Sequence, residues 1–368
     1  MVETRRVLIT GVSRFWGGHL AKLLEASPSI ERIVAVDTKS PTVNLERTDF
    51  VRADIRHSLI GKLLHALDID TVVHAGLIVD PRRAGSRAVH ETNVIGTMNL
   101  LAACGGAASP VRKLVVKSST AVYGCESNDP SLWSETMVRR SPARDNFTRD
   151  LDEVEAYVHD FRLRKPDAVV TLLRFANVLG SRHDTPFARL FDLRLVPTVL
   201  GFDPRLQFLH EDDAVHVLEQ AVLRDEHGTF NVAGDGVVLL SQAIALLGKM
   251  NAPVIPFIGQ GLAMAIFNRA LPVGFPPHLA RLLQFGRVVD TSMLRERFGP
   301  PTHSTVDTVR EHGKNRRVQA ILEDRPYTYE TELEDFLRSR RLESNGHHAG
   351  RRATRTRRRD TPATRRDS

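Results

Sequence analysis

Thr10-Gly11-Val12-Ser13-Arg14-Phe15-Trp16-Gly17-Gly18-His19 is the stretch that decides how this chain folds. The apolar residues Val7, Leu8 and Ile9 ahead of it read as a buried strand over Arg6–Gly11, and Leu20, Leu23 and Leu24 after it share one side of a helix over Gly17–Ala26. A glycine-rich turn between such a strand and such a helix lets backbone amides and the helix N-terminus approach a pyrophosphate, and Gly11 allows the tight turn. A glycine pair alone is weak, since Gly11 and Gly17 can simply permit a turn. Asp37 strengthens the reading, because it ends a second strand 20 residues after Gly17, where an acid can hydrogen-bond ribose hydroxyls and repel a 2′-phosphate. The pattern predicts a dinucleotide site that takes NAD in preference to NADP, with Lys39 the nearby group that speaks for the extra phosphate.

Outward from this turn, short β-branched runs alternate with amphipathic stretches. Strands are predicted over Arg32–Asp37, Asp49–Ile55, Thr71–Ala75, Lys113–Val116 running on to Ser118 and Ser119, and Ala168–Arg174, with a long helix over Ser86–Cys104. This rhythm predicts an α/β fold, a Rossmann-type doubly wound parallel sheet with helices on both faces. Beyond residue 180 prolines become frequent and the rhythm weakens, as expected of a smaller C-terminal substrate lobe over the crevice; Gly228–Val232 reads as a strand and Leu240–Leu247 as a helix rejoining the first fold. The expected organisation is an NAD-binding domain over 1–180 with returning segments near 205–250, a substrate-binding lobe mainly over 181–340, and a tail over 341–368.

Composition narrows the class. With 42% hydrophobic and 26% charged residues in 368, the chain has material for an ordinary globular core. Two cysteines, Cys104 and Cys125, are too few for a disulfide framework and lack metal-ligand spacing, so the expectation is a cytoplasmic protein with no metal. Met1–Arg6 leads straight into a strand with no leader-like pattern. The apolar run Pro253–Phe267 is interrupted by Pro256 and Gln260 and falls short of the roughly 20 residues of a membrane span, so it reads as a buried or groove-lining helix. Of the formal charge of +7, residues 344–368 carry +6 through eight arginines against two aspartates. Such a tail is expected to be disordered and at most a nonspecific contact for polyanions, with no specific nucleic-acid partner.

Further motifs follow in order. Thr10 to Gly17 is similar to TGxxGxxG, Asp54-Ile55 to an adenine-side acid and apolar pair, His74-Ala75-Gly76 to an HxA turn, and Asn93 to Asn99 to NxxGTxN. Ser118 to Gly124 is similar to SSxxVYG, Leu173 to Gly180 to LRxxNVxG, and Phe208 to Asp213 to FxHxDD; Phe230-Asn231-Val232, Asp290 and Phe298-Gly299 complete the series. Through these passages, over about residues 5 to 330, the chain resembles the extended short-chain dehydrogenase/reductase superfamily, and within it the NAD-dependent epimerase/dehydratase family that includes UDP-glucose 4-epimerases. The resemblance implies an NAD site at Gly11, Arg14, Phe15, Gly17, Asp37, Asp54, Ile55, His74, Ala75, Gly76 and Asn93. It also implies a nucleotide-sugar or similar small-molecule ligand near Tyr123, Asn177, Arg205 and Arg287, and a homodimer formed by the helices after Asn93 and around Glu155.

The chain departs from that family where the chemistry lies. In active members a serine or threonine, a tyrosine and a lysine four residues later move a proton as hydride travels to nicotinamide. A phenol with a pKa of about 10 is a poor base until a cation stabilises its phenolate. Ser119 matches the serine. The helix after Pro142, however, reads Phe147-Thr148-Arg149-Asp150-Leu151-Asp152-Glu153-Val154-Glu155, so Phe147 and Leu151 stand at the tyrosine and lysine positions. None of the tyrosines, 123, 157, 327 and 329, has a lysine four residues on. Lys117, on the same strand face as Ser119, is a weak substitute, as is Tyr123, which reads better as packing. Arg14 replaces the second glycine and either obstructs the pyrophosphate or pairs with it. Leu206 stands where the UDP-sugar enzymes usually carry a diphosphate-gripping arginine, leaving Arg205 displaced by one and Arg287 as another grip. The resulting expectation is an NAD-binding protein with weak or no epimerase chemistry; the alternative is an active nucleotide-sugar 4-epimerase, dehydratase or dehydrogenase with a non-standard acid/base pair.

Overall fold

Alternation along the first strand organises two helical layers. In β1 (Arg5–Thr10), Val7 and Ile9 face one layer and Leu8 the other, all without solvent exposure. A computed structural model describes residues 5–79, 85–254 and 277–323. After β1 come α1 (Phe15–Leu24), β2 (Ile30–Asp37), β3 (Thr48–Arg52), α2 (Leu59–Ala66), β4 (Thr71–His74), α3 (Ser86–His90), α4 (Gly96–Gly105), β5 (Lys113–Ser119), α5 (Asn146–Arg164) and β6 (Val169–Phe175). Next are β7 (Asn177–Leu179), α6 (Pro186–Asp192), β8 (Leu195–Val199), β9 (Arg205–Leu206), β10 (Phe208–His210), α7 (Glu211–Leu223), β11 (Gly228–Val232), β12 (Val238–Leu239), α8 (Leu240–Leu246) and β13 (Met250–Val254). Helices over Pro277–Phe285, Ser292–Phe298 and Thr305–Glu323 follow.

Seven strands form one parallel sheet in the order β11-β6-β5-β4-β1-β2-β3. This is the expected doubly wound topology, with the order reversing between β1 and β4 and the returning strand Gly228–Val232 added beyond β6. Leu20, Leu24, Leu218, Val222, Leu294 and Phe298 cover one face, and Ile60, Leu64, Leu100, Leu101, Val158 and Phe161 the other. A further apolar cluster gathers Phe187, Phe191, Phe208, Leu240, Ile244, Leu282 and Val309. There the strand pairs are short: β7 with β10, β8 with β13 and β9 with β12.

Several boundaries differ from the sequence reading for local reasons. Helix α1 starts at Phe15 rather than Gly17, because the turn closes early through a bond from Arg14 N to Gly11 O of 3.1 Å. The third strand ends at Arg52, since the Asp54 side chain takes the Arg56 amide at 2.9 Å and turns the chain. The helix predicted over Ser86–Cys104 is divided by a π-helical turn at Glu91–Ile95, where Asn93 reaches out to bond the backbone of residue 78. Among the described residues no helix is long and apolar enough to cross a membrane. Most of the run Pro253–Phe267 and all of the arginine-rich tail lie outside the described residues. By internal contacts the chain divides into residues 1–315 and 316–368, the latter described only to residue 323.

Candidate active site

The glycine-rich turn meets the turn after β4 at the reversal of strand order. Gly11 has a φ of 79°, and a Cβ on it would lie 2.4 Å from Gly76 Cα. A Cβ on Gly17 would lie 2.6 Å from Gly11 O. Only glycine lets the two turns and the first turn of α1 come together here. Arg14, extended at the N-cap, makes no side-chain hydrogen bond to the first turn of α1.

Asp37 at the end of β2 is bound into this turn: its Oδ2 accepts from Ser13 N at 3.0 Å and Ser13 Oγ at 2.7 Å, and its Oδ1 from Lys39 N at 3.2 Å. His74 is almost fully buried between Thr10 Oγ1 (2.8 Å) and Thr97 Oγ1 (2.9 Å). Because Thr97 Oγ1 itself donates to the Asn93 carbonyl, it accepts from His74 Nε2–H, while Nδ1 accepts from Thr10. Burial, then the nearby Lys117 ammonium, pushes the His74 pKa down to about 4, so the ring is a neutral tie between β1, β4 and α4. Asn93 clamps residue 78 through both its amide atoms, at 2.8 and 3.0 Å. Ala75 is fully buried beside Gly76. Arg56 holds Asp54 below the usual carboxylate range through hydrogen bonds, and Ile55 fills the space above Gly96.

The other half of the cleft lies over the carboxyl ends of β5 and β6. Its lining includes Arg14, Trp16, Leu77, Lys117, Ser119, Phe147, Phe175, Asn177, His183 and Arg287. Ser119 Oγ accepts from Ala121 N at 3.2 Å and lies 3.4 Å from the Phe175 carbonyl, capping the single 3₁₀ turn Thr120–Tyr123. Helix α5 begins at Asp145, whose side chain accepts from Thr148 N at 2.8 Å. That start carries Phe147 to the cleft wall and Leu151 behind it, in an apolar cluster with Leu77, Ala121 and Val154.

Strand alternation separates two sets of polar groups. Ser118 donates to Glu155 at 2.6 Å, Glu155 pairs with Arg174, and Arg174 donates to Tyr123 OH at 2.7 Å, which in turn bonds Asn231. Tyr123 is therefore held in a buried network, stacked on Trp133 and with its pKa raised by burial. Lys117 projects the other way, with Ser119, its Nζ beside the edge-to-face pair of Trp16 and Phe175. Burial, then Arg14, pushes its pKa down to about 8.

Of the substrate-side residues, Asn177 and Arg287 line the cleft, and Arg287 donates to the Gly124 carbonyl at 3.1 Å. Arg205 is exposed and reaches Ser131 O at 3.3 Å, while Leu206 belongs to the apolar cluster around Phe187 and Phe208. His210 of the FxHxDD segment caps α7 and stacks on His303 with ring centroids 4.0 Å apart. Trp16, His183 and Phe175 were not legible as site residues: Trp16 meets the Phe175 and His183 rings at 5.9 and 4.8 Å across long separations in sequence.

With this geometry in place the relatives can be compared. The family model described as NAD dependent epimerase/dehydratase family matches residues 7–233. The chain belongs to that family. A relative, the uncharacterized protein Rv0501 of Mycobacterium tuberculosis, is 39% identical over 323 residues, 86% of this chain and 85% of its own. Among solved structures the family fold recurs in the UDP-glucuronic acid 4-epimerase of Bacillus cereus in complex with NAD, at 20% identity and a TM-score of 0.64, over 85% of this chain and 99% of that one. The UDP-glucose 4-epimerase of Thermotoga maritima with UDP-glucose is similar in fold at 18% identity and a TM-score of 0.64, over 86% and 99%.

Proposed function

We propose that the cleft takes NAD across the β1–β4 reversal, with the adenosine toward Asp37 and the nicotinamide toward Ser119, and a nucleotide-sugar-like ligand beside it. Two features support the cofactor reading: Gly11 and Gly76 pack backbone to backbone with no room for a Cβ on Gly11, which keeps the turn tight, and Asp37 is fixed beside that turn at the end of β2 by Ser13. NAD supplies a hydride acceptor when bound. We further propose that the chain performs little or no epimerase chemistry by the family's tyrosine–lysine route.

The observation that carries this second step is the apolar wall made by Phe147 and Leu151. A carbinol carbon can give up hydride only as its hydroxyl proton leaves, and neither a benzene ring nor an isobutyl group accepts a proton. Loss of such general acid/base help costs about 10² to 10⁴ in rate. The direct test incubates purified protein with NAD and a panel of UDP- and dTDP-sugars. The expected result is a thermal shift with NAD and trace or no epimer or keto product; turnover of several per second ends this reading.

A second reading, an active enzyme with a non-standard pair, draws support from Lys117, a buried amine on the face of Ser119. The same assay decides between them. Homodimerisation through α4 and α5, and a cytoplasmic setting in keeping with two buried thiols, complete the proposal; sedimentation tests the first.

A further inference from the structure

Lys117 is 4% exposed, yet among the described residues no hydrogen-bond acceptor lies within reach of its ammonium. Its Nζ sits 5.3 Å from the centroid of Trp16 and 5.4 Å from that of Phe175. Two aromatic faces attract a cation but accept none of its three N–H donors in the way an oxygen does. Its stem is buried while Nζ is reached from the cleft rather than sealed in the core, so its N–H donors are open to a ligand oxygen that arrives there. Its direction is set by the strand: Lys117 and Ser119 share the cleft face of β5, while Ser118 between them is bonded to Glu155 on the other. In a doubly wound fold with Asp37 at the adenosine end, the carboxyl ends of β5 and β6 lie under the nicotinamide half of the dinucleotide. Helix α5 offers no cation there, because Leu151 is packed in the apolar wall.

We propose that Lys117 is the cofactor-contacting cation of this cleft, donating from strand β5 to oxygen atoms of the nicotinamide half of bound NAD. The inference rests on the NAD reading above. The titratable or charged groups that share its surroundings are Arg14 before α1, His74 on β4 and, across the cleft, His183, Asp184 and Arg287; Phe147 and Phe175 present apolar faces. Contact with ligand oxygens favours the charged form, so NAD binding near pH 8 is accompanied by proton uptake.

The test is Lys117→Met in the full chain, with calorimetric titration of NAD and, separately, of ADP, which lacks the nicotinamide half. We expect NAD to bind about tenfold or more weakly to the variant, ADP to bind equally to both, and buffer-dependent proton uptake to be seen only with the wild type. Unliganded K117M should unfold at the wild-type temperature or above it, since the variant removes an unpartnered charge, which separates lost contact from lost fold. Equal or tighter NAD binding by K117M, or an equal loss for ADP, overturns the proposal while leaving the NAD reading intact. Failure of the wild type to bind NAD overturns both.

Discussion

In the half of the cleft near Asp37, each polar side chain is tied to another part of the scaffold: Asp37 to Ser13, His74 to Thr10 and Thr97, Asn93 to residue 78. In the half near Ser119, the side chains are of another kind: Phe147, Leu151 and Leu77 make an apolar wall, and Lys117 lies beside two rings without a hydrogen-bond acceptor among the described residues. The contrast shows that two kinds of wall line one cleft. The frame is made of backbone contacts and buried hydrogen bonds that folding requires. Phe147 and Leu151 project from that frame and pack with Leu77, Ala121 and Val154.

The comparison is broken most forcefully by restoring chemistry to the apolar half. Phe147→Tyr with Leu151→Lys should raise turnover on a UDP-sugar by about 10² to 10⁴, read as epimer or NADH formation. No gain would mean that Trp16 or Lys117 also bars the reacting geometry, and the two halves would then differ by more than two side chains.

Gly11→Ala attacks the frame instead. Its Cβ would lie 2.4 Å from Gly76 Cα at a φ of 79°, so a loss of about 3 kcal/mol in unfolding free energy and of the NAD thermal shift is expected.

His74→Ala should cost about 2 kcal/mol by leaving buried threonine hydroxyls without their partner. The pH dependence sharpens this. The folded-state pKa of about 4 lies below the ordinary histidine value of 6.5, so below 6.5 the unfolded chain binds the extra proton first. Wild-type stability therefore falls as pH drops from 6.5 toward 4 and loses nothing more from this group below that. Urea unfolding across that range should show a smaller slope in H74A.

The smallest expected effect is at the edge of the frame. Asp37→Ala should weaken NAD about tenfold and narrow the preference over NADP, measured by titrating both. Unchanged preference would show that Ser13, rather than the cofactor ribose, is the partner that matters to Asp37.

Much of this was legible in the chain. The order of apolar runs, the glycines at 11 and 17 and the acid at 37 specify the doubly wound sheet, because strand alternation, tight turns and ribose binding each demand particular residue types at particular spacings. That Phe147 and Leu151, four residues apart ahead of Glu155, carry no titratable group was equally plain, since that depends only on residue identity. What could not be read was how polar groups divide between partners. Asn93, read as a cofactor residue, also holds residue 78 and opens a π turn in the helix; Tyr123, read as a substrate-side residue, is engaged by Arg174 and Asn231.

Sequence alone determined the architecture, the dinucleotide frame and the lack of a tyrosine–lysine pair, because these depend on local pattern and on which atoms a side chain owns. Only the tertiary structure decided that Gly11 touches Gly76, that His74 is a neutral tie and that Lys117 lies beside Trp16 and Phe175 facing the cleft. Those facts depend on surfaces brought together from distant parts of the chain, and burial and electrostatic environment have no existence until the chain has folded.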